Sequence, residues 1–118
     1  MRDYLATYNR IDIGLDPFPY NGGTTTMEAL WQGVPVLSFD GDRWAARQGA
    51  SLLHAAGLDG FVARDEAGYV ARGIELGRGF DGERATMRER LAASPMMDTA
   101  SFARAMERVY ERVAATVT

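Results

Sequence analysis

Two short apolar runs, Ile11 to Leu15 and Val34 to Phe39, stand at either end of a loop broken by proline and glycine and a single amphipathic run. That order is strand, loop, helix, strand, one βαβ unit, and it commits the chain to the α/β class with a parallel sheet. Pro17 and Pro19 forbid both a continued helix and a central sheet position, so Asp16-Pro17-Phe18-Pro19 is an extended connector leaving the sheet edge. It aims the loop Asn21-Gly22-Gly23. In open parallel sheets ligands bind beyond the carboxyl ends of the strands, where this loop emerges.

The loop delivers Thr24, Thr25 and Thr26 to the predicted start of a helix, with Glu28 less than one turn further on. Two glycines let the backbone approach a ligand, free amides at a helix N-terminus point outward, and the helix dipole favours an anion there, so the segment suits a phosphate cradle. The same residues also suit a helix that satisfies only itself, because Thr24 with Met27 and Glu28 is close to a capping arrangement. On the residues alone both readings stand.

The rest of the chain extends the alternation. Met1 to Arg10 carries Tyr4, Leu5 and Tyr8 at helical spacing, where an aromatic such as Tyr4 is expected in the core. The helix from Thr24 to Gln32 has Met27, Leu30 and Trp31 on one face, with Trp31 expected in the core and Gly33 as the stop. Asp40-Gly41-Asp42 is a second loop on the carboxyl edge, followed by a helix from Arg43 to Ala56 closed by Gly57. The lone His54 shows no placed partner in the sequence and is given no catalytic role. Phe61 to Ala63 is a brief strand. Asp65, Glu66 and Gly68 open a helix through Tyr69, Val70, Ile74 and Leu76, and Arg78 to Gly82 is a turn. A charged helix around Met87 and Leu91 presents a solvated face, and Ser94 to Met97 is a break. The final helix, Ser101 to Val113, bears Phe102, Met106, Val109, Tyr110 and Val113 as a core-facing stripe.

Composition narrows the function. At 118 residues the chain is expected to be a single domain, burying roughly 65% of its unfolded surface. A net charge of −3 and no basic stripe argue against a nucleic-acid partner. The absence of cysteine removes disulfides and thiolate metal sites, and with no long apolar run or signal-like start the expected compartment is the cytoplasm, with no membrane partner.

The run LDPFPYNGGTTTMEALWQGVPVLSFDG, then R..A..GASLL...GL, the SP pair at Ser94 and F...ME..Y from Phe102 resemble, in order, the C-terminal part of the O-linked N-acetylglucosamine transferase and SPINDLY family. These are GT-B glycosyltransferases that move a sugar from a nucleotide donor to Ser or Thr of proteins. The resemblance runs from about Tyr4 to Val113 and implies a partial Rossmann-like three-layer unit: about three parallel strands with flanking helices and a helical C-terminal tail. This is the later half of a nucleotide-sugar-binding lobe, residues 1–118, with the acceptor site and second lobe expected in upstream sequence.

The resemblance implies that Gly22, Gly23, Thr24 and Thr25 hold the donor diphosphate and that Glu28 accepts from ribose hydroxyls, with Tyr4, Thr26 and Arg47 as further donor contacts. Arg47 either neutralises phosphate or pairs with Asp42. Relatives commonly have His-Thr-Thr where this chain has Gly23-Thr24-Thr25, and in place of Tyr4 a His that lies against the donor's base, which implies Tyr4 as a platform for the base. The missing His brings the chain closer to the SPINDLY branch and its implied donor GDP-fucose; UDP-N-acetylglucosamine is the donor of the other branch. Amides and hydroxyls would stabilise the departing diphosphate without a metal, so no cofactor is expected and no catalytic residue is assigned. Two other functions fit the residues: a non-catalytic interaction module, or a stand-alone nucleotide or phosphate binder. The strand Ile11 to Leu15, lacking a neighbour, is expected to be an exposed edge through which copies associate.

Overall fold

The protein is described by a computed structural model over residues 1–79 and 84–117. Its sheet has three parallel strands in the order β1 (Gly14–Leu15), β2 (Val36–Phe39), β3 (Val62–Ala63). The registers pair Gly14 with Val36 and Ser38 with Val62. The helices are α1 (Arg2–Thr7), α2 (Thr24–Trp31), α3 (Gln48–Ala55), α4 (Glu66–Gly77), α5 (Arg84–Ala92) and α6 (Thr99–Val117). The α/β class, the parallel strands, the flanking helices and the helical tail are all present. β2 is the central strand, with α2, α3 and α4 packed around it, which is why its sequence reads as a continuous apolar run. Leu30, Val34, Leu37, Leu53, Leu58, Phe61, Met87 and Leu91 form the core.

Two glycines set where the helices stop. Gly33 (φ 82) and Gly57 (φ 70) occupy the left-handed region just beyond α2 and α3. In each case the glycine amide and the next amide turn back onto the last helical carbonyls: Gly33 to Leu30 (3.0 Å) and Val34 to Ala29 (2.8 Å), Gly57 to His54 (3.0 Å) and Leu58 to Leu53 (2.8 Å). This double bond pattern is the Schellman closure, and it drops Val34 and Leu58 straight into the core.

Several expectations need correction. β1 is shorter than Ile11 to Leu15, because a 3-10 turn at Tyr8–Arg10 runs into it and the Arg84 guanidinium takes the carbonyls of Tyr8 and Ile11. β2 begins at Val36, after a proline that has no ladder donor, and Phe61 belongs to a 3-10 turn rather than to β3. The helix expected from Arg43 is split into a 3-10 turn, Trp44–Ala46, and α3. Trp31 is not core: α2 buries Thr26, Ala29 and Leu30, while Trp31 lies 40% exposed under the Arg88 guanidinium, 5.3 Å from its ring centre. The α6 stripe is not core either, since no residue of α6 is buried and Phe102, Tyr110 and Val113 are exposed. α5, read as a solvated face, buries Met87 and Leu91 completely. Part of the expected turn from Arg78 to Gly82 lies outside the described residues.

Candidate functional site

The glycine loop is fixed from beneath by groups at the carboxyl ends of β1 and β2. Asp16, just past β1, extends the ladder through its amide to the Leu37 carbonyl (2.9 Å), which turns its carboxylate inward, where the residue is 5% exposed. Oδ1 accepts from the Gly22 amide (2.7 Å) and Oδ2 from the Ser38 hydroxyl (2.6 Å). Burial pushes the Asp16 carboxyl up from its ordinary range, and the bonds from Ser38 and Gly22 oppose that. Asn21 completes the floor: its side-chain amide donates to the Pro17 carbonyl (2.9 Å), its Oδ1 accepts from the Gly49 amide (3.0 Å), and its own amide donates to Ala45 (2.8 Å).

On this floor α2 begins. Its N-cap is Gly23, and no side chain caps it. Thr24 sits one position inside the helix, so its hydroxyl is not the cap and the self-satisfying alternative loses its main support. The hydroxyl-bearing Thr24 and Thr25 are exposed at the helix start, whereas Thr26 is buried. The first amides of any α-helix have no partner within it, and here the residue before them has no side chain to offer. The two glycines differ. A Cβ on Gly22 would lie 2.8 Å from both Thr25 Oγ1 and Thr26 Oγ1, so this position must be bare for the loop to fold onto the helix; one on Gly23 would meet only the end of the flexible Gln48 side chain, at 2.5 Å. Gly22 donates its amide inward to Asp16, so it shapes the loop by its missing side chain and not by an outward donor.

Tyr4 and Glu28, 24 residues apart, come together. The Tyr4 hydroxyl donates to Glu28 Oε2 (2.9 Å) and lies 3.1 Å from the Tyr8 hydroxyl, with the two rings edge to face at 5.7 Å. Those bonds, to Tyr8 and then to Glu28, hold the Tyr4 phenol well above its ordinary range. Tyr4 is 46% exposed and is neither core nor a free platform.

Arg47 pairs with Asp40 (Nε to Oδ1, 2.9 Å) and not with Asp42, which takes Arg43 instead (2.8 Å). These residues line an open depression of about 730 Å³ that reaches Gln48 and Ser51 on α3. His54, expected to be without a partner, has one: Asp59 Oδ1 lies 2.5 Å from its Nδ1, and that bond lowers the Asp59 carboxyl. Asp16, Asn21, Ser38 and Gly49 were not legible as site residues. The only signal is that Asp16 and Asn21 bracket the prolines, and nothing in the sequence aims Ser38 or Gly49 at them. Among the described residues no helix is long and apolar enough to cross a membrane.

Residues 5–106 match the model of glycosyl transferase family 41. The chain is 40% identical over 111 residues to the probable UDP-N-acetylglucosamine–peptide N-acetylglucosaminyltransferase SPINDLY of Solanum lycopersicum, covering 92% of this chain and 12% of that one. It is 32% identical over 100 residues to the UDP-N-acetylglucosamine–peptide N-acetylglucosaminyltransferase of Caenorhabditis elegans, covering 81% of this chain and 9% of that one. Among solved structures, a mutant of the Thermobaculum terrenum O-GlcNAc transferase superposes with a TM-score of 0.81 at 43% identity, over 95% of this chain and 22% of the other. The chain therefore spans about an eighth of the length of its SPINDLY relative, given the 12% coverage.

Proposed function

The chain belongs to glycosyl transferase family 41, and from that premise we propose that it is the donor-binding part of a protein O-glycosyltransferase, the later half of a nucleotide-sugar lobe. The observation that carries the reading is the start of α2: a helix with no side-chain cap, two exposed threonine hydroxyls, and a loop whose shape is set by buried bonds to Asp16. The donor diphosphate sits on the first-turn amides with Gly23, Thr24 and Thr25 around it, Gly22 giving room below and Thr26 packing underneath. Glu28, held by Tyr4, keeps its other oxygen for ribose hydroxyls. As the sugar bond breaks, the leaving diphosphate gains negative charge, and preorganised amides and hydroxyls at a helix N-terminus stabilise it. Arg47, already paired with Asp40, contributes at the margin of the site. The names of the relatives make UDP-N-acetylglucosamine the first donor to try, and GDP-fucose, which only the resemblance to the SPINDLY branch implies, the second.

Calorimetry with pyrophosphate, UDP and GDP separates these roles. Thr25→Val keeps the shape and removes the hydroxyl, so all ligands are expected to weaken by about 1 to 2 kcal/mol with little change in melting temperature. Glu28→Gln is expected to weaken the nucleotides and leave pyrophosphate unchanged. Early melting of Thr25→Val with normal binding would return that hydroxyl to a structural role, and equal losses across ligands would take Glu28 off the ribose.

The same reading has copies of the chain associating through the edge of β1, where Leu15 is 61% exposed. Light scattering is expected to show a dimer or larger species; a monodisperse monomer removes that part of the proposal.

A further inference from the structure

We infer that Gln48, on α3, is a further binding residue for the diphosphate, its carboxamide standing in the place that Gly23 leaves bare at the start of α2. A Cβ on Gly23 would lie 2.5 Å from Gln48 Nε2, 3.4 Å from its Cδ and 3.9 Å from its Oε1. A side chain from another element therefore occupies the space of the missing one, with its NH2 end foremost. That end is a donor. The amides of the first helical turn are donors too, and the positive end of the helix dipole lies with them, so the gap beside them calls for an acceptor and not for a second donor. Among the described residues the Gln48 carboxamide has no hydrogen-bond partner. Donors arriving from two helices at one place are both satisfied by an anion between them, and a diphosphate has oxygens enough for both. The inference rests on the reading of this loop as a diphosphate cradle.

The fold fixes this placement. Gln48 opens α3, and on one side of it the Gly49 amide donates to Asn21 Oδ1 (3.0 Å), while on the other the Ala45 carbonyl accepts from the Asn21 amide (2.8 Å). The start of α3 is thus pinned to the glycine loop on both sides of Gln48, which is itself half-buried. The charges nearby cancel in pairs, Asp40 with Arg47 and Asp42 with Arg43, so an approaching anion meets a neutral, oriented donor and no unpaired carboxylate from these residues. Gly23 then has a task different from that of Gly22: it is bare so that a side chain from α3 can enter.

Calorimetry with pyrophosphate, UDP and GDP on the purified chain tests the assignment. Gln48→Ala is expected to weaken every ligand that the parent binds roughly tenfold and by the same factor, with the melting temperature unchanged, because the contact is to phosphate. Gly23→Ala pushes the carboxamide off the loop, so it is expected to lose the same factor, and the double variant to bind no worse than Gln48→Ala. Gln48→Glu keeps the shape and suits the first turn of α3, but it puts a negative charge where the donor stood. It is expected to bind more weakly than Gln48→Ala at neutral pH, the gap closing as the pH falls into the carboxylate range. Parent-like binding by Gln48→Ala, early melting with normal binding, losses confined to the nucleotides, or additive losses in the double variant overturn the role of Gln48; the cradle survives any of these if Thr25→Val still weakens all ligands. Failure of the parent to bind any of the three overturns both.

Discussion

Gly49→Ala is expected to destabilise the chain by roughly 3 to 5 kcal/mol, a third or more of what a domain of this size has in hand. Local propensity predicts the opposite sign, because Gly49 lies in α3 and alanine is favoured over glycine in a helix by about 1 kcal/mol. The tertiary term is larger. A Cβ at this position would lie 1.9 Å from Asp16 Oδ2 and 2.6 Å from Ser38 Oγ, and both residues are buried. The methyl group must expel the carboxylate or lift the start of α3, and either motion breaks the bonds from Ser38 and Gly22, leaving a buried charge short of donors. Gly23→Ala is the control, since only the end of the Gln48 side chain has to move, and its stability is expected within about 0.5 kcal/mol of the parent. Denaturant unfolding followed by circular dichroism measures both. If Gly49→Ala unfolds within 1 kcal/mol of the parent, the floor under the loop is not as rigid as its geometry implies.

That network marks where sequence reasoning stopped. The βαβ order, the glycine stops at Gly33 and Gly57 and the exposed Thr24 and Thr25 were legible, because each follows from local rules of period, punctuation and helix-end geometry. Asp16 was not: an aspartate before Pro17 reads as an ordinary connector residue, and its burial depends on Ser38, 22 positions away, and on the missing side chain of Gly49. Aromatic residues misled for a related reason. Trp31 and Trp44 both fall at apolar helical positions, but burial is decided by what lies opposite: Arg88 covers the first, and no ring or cation among the described residues covers the second. His54 shows the same dependence, since Asp59 lies only five positions on, yet the turn between α3 and β3 is needed to bring the two together.

The purified chain is expected to bind donor and to transfer no sugar. On the proposed reading the placed groups serve the leaving diphosphate: hydroxyls at the start of α2, Glu28 steadied by Tyr4, and a floor that fixes the loop. Stabilising a leaving group is one part of transfer. The acceptor hydroxyl must also be held in line with the sugar carbon and relieved of its proton, and holding two reactants in geometry is worth about 7 to 11 kcal/mol of barrier. A GT-B cleft obtains that orientation by closing two lobes around both substrates, and this chain corresponds to 22% of the solved transferase it superposes on. A radiolabelled-donor assay with a Ser- and Thr-containing peptide, run beside calorimetry on the same sample, is expected to give binding and no labelled peptide. Labelled peptide from the chain alone would place a complete reaction centre within these 118 residues and overturn the division of labour proposed for them.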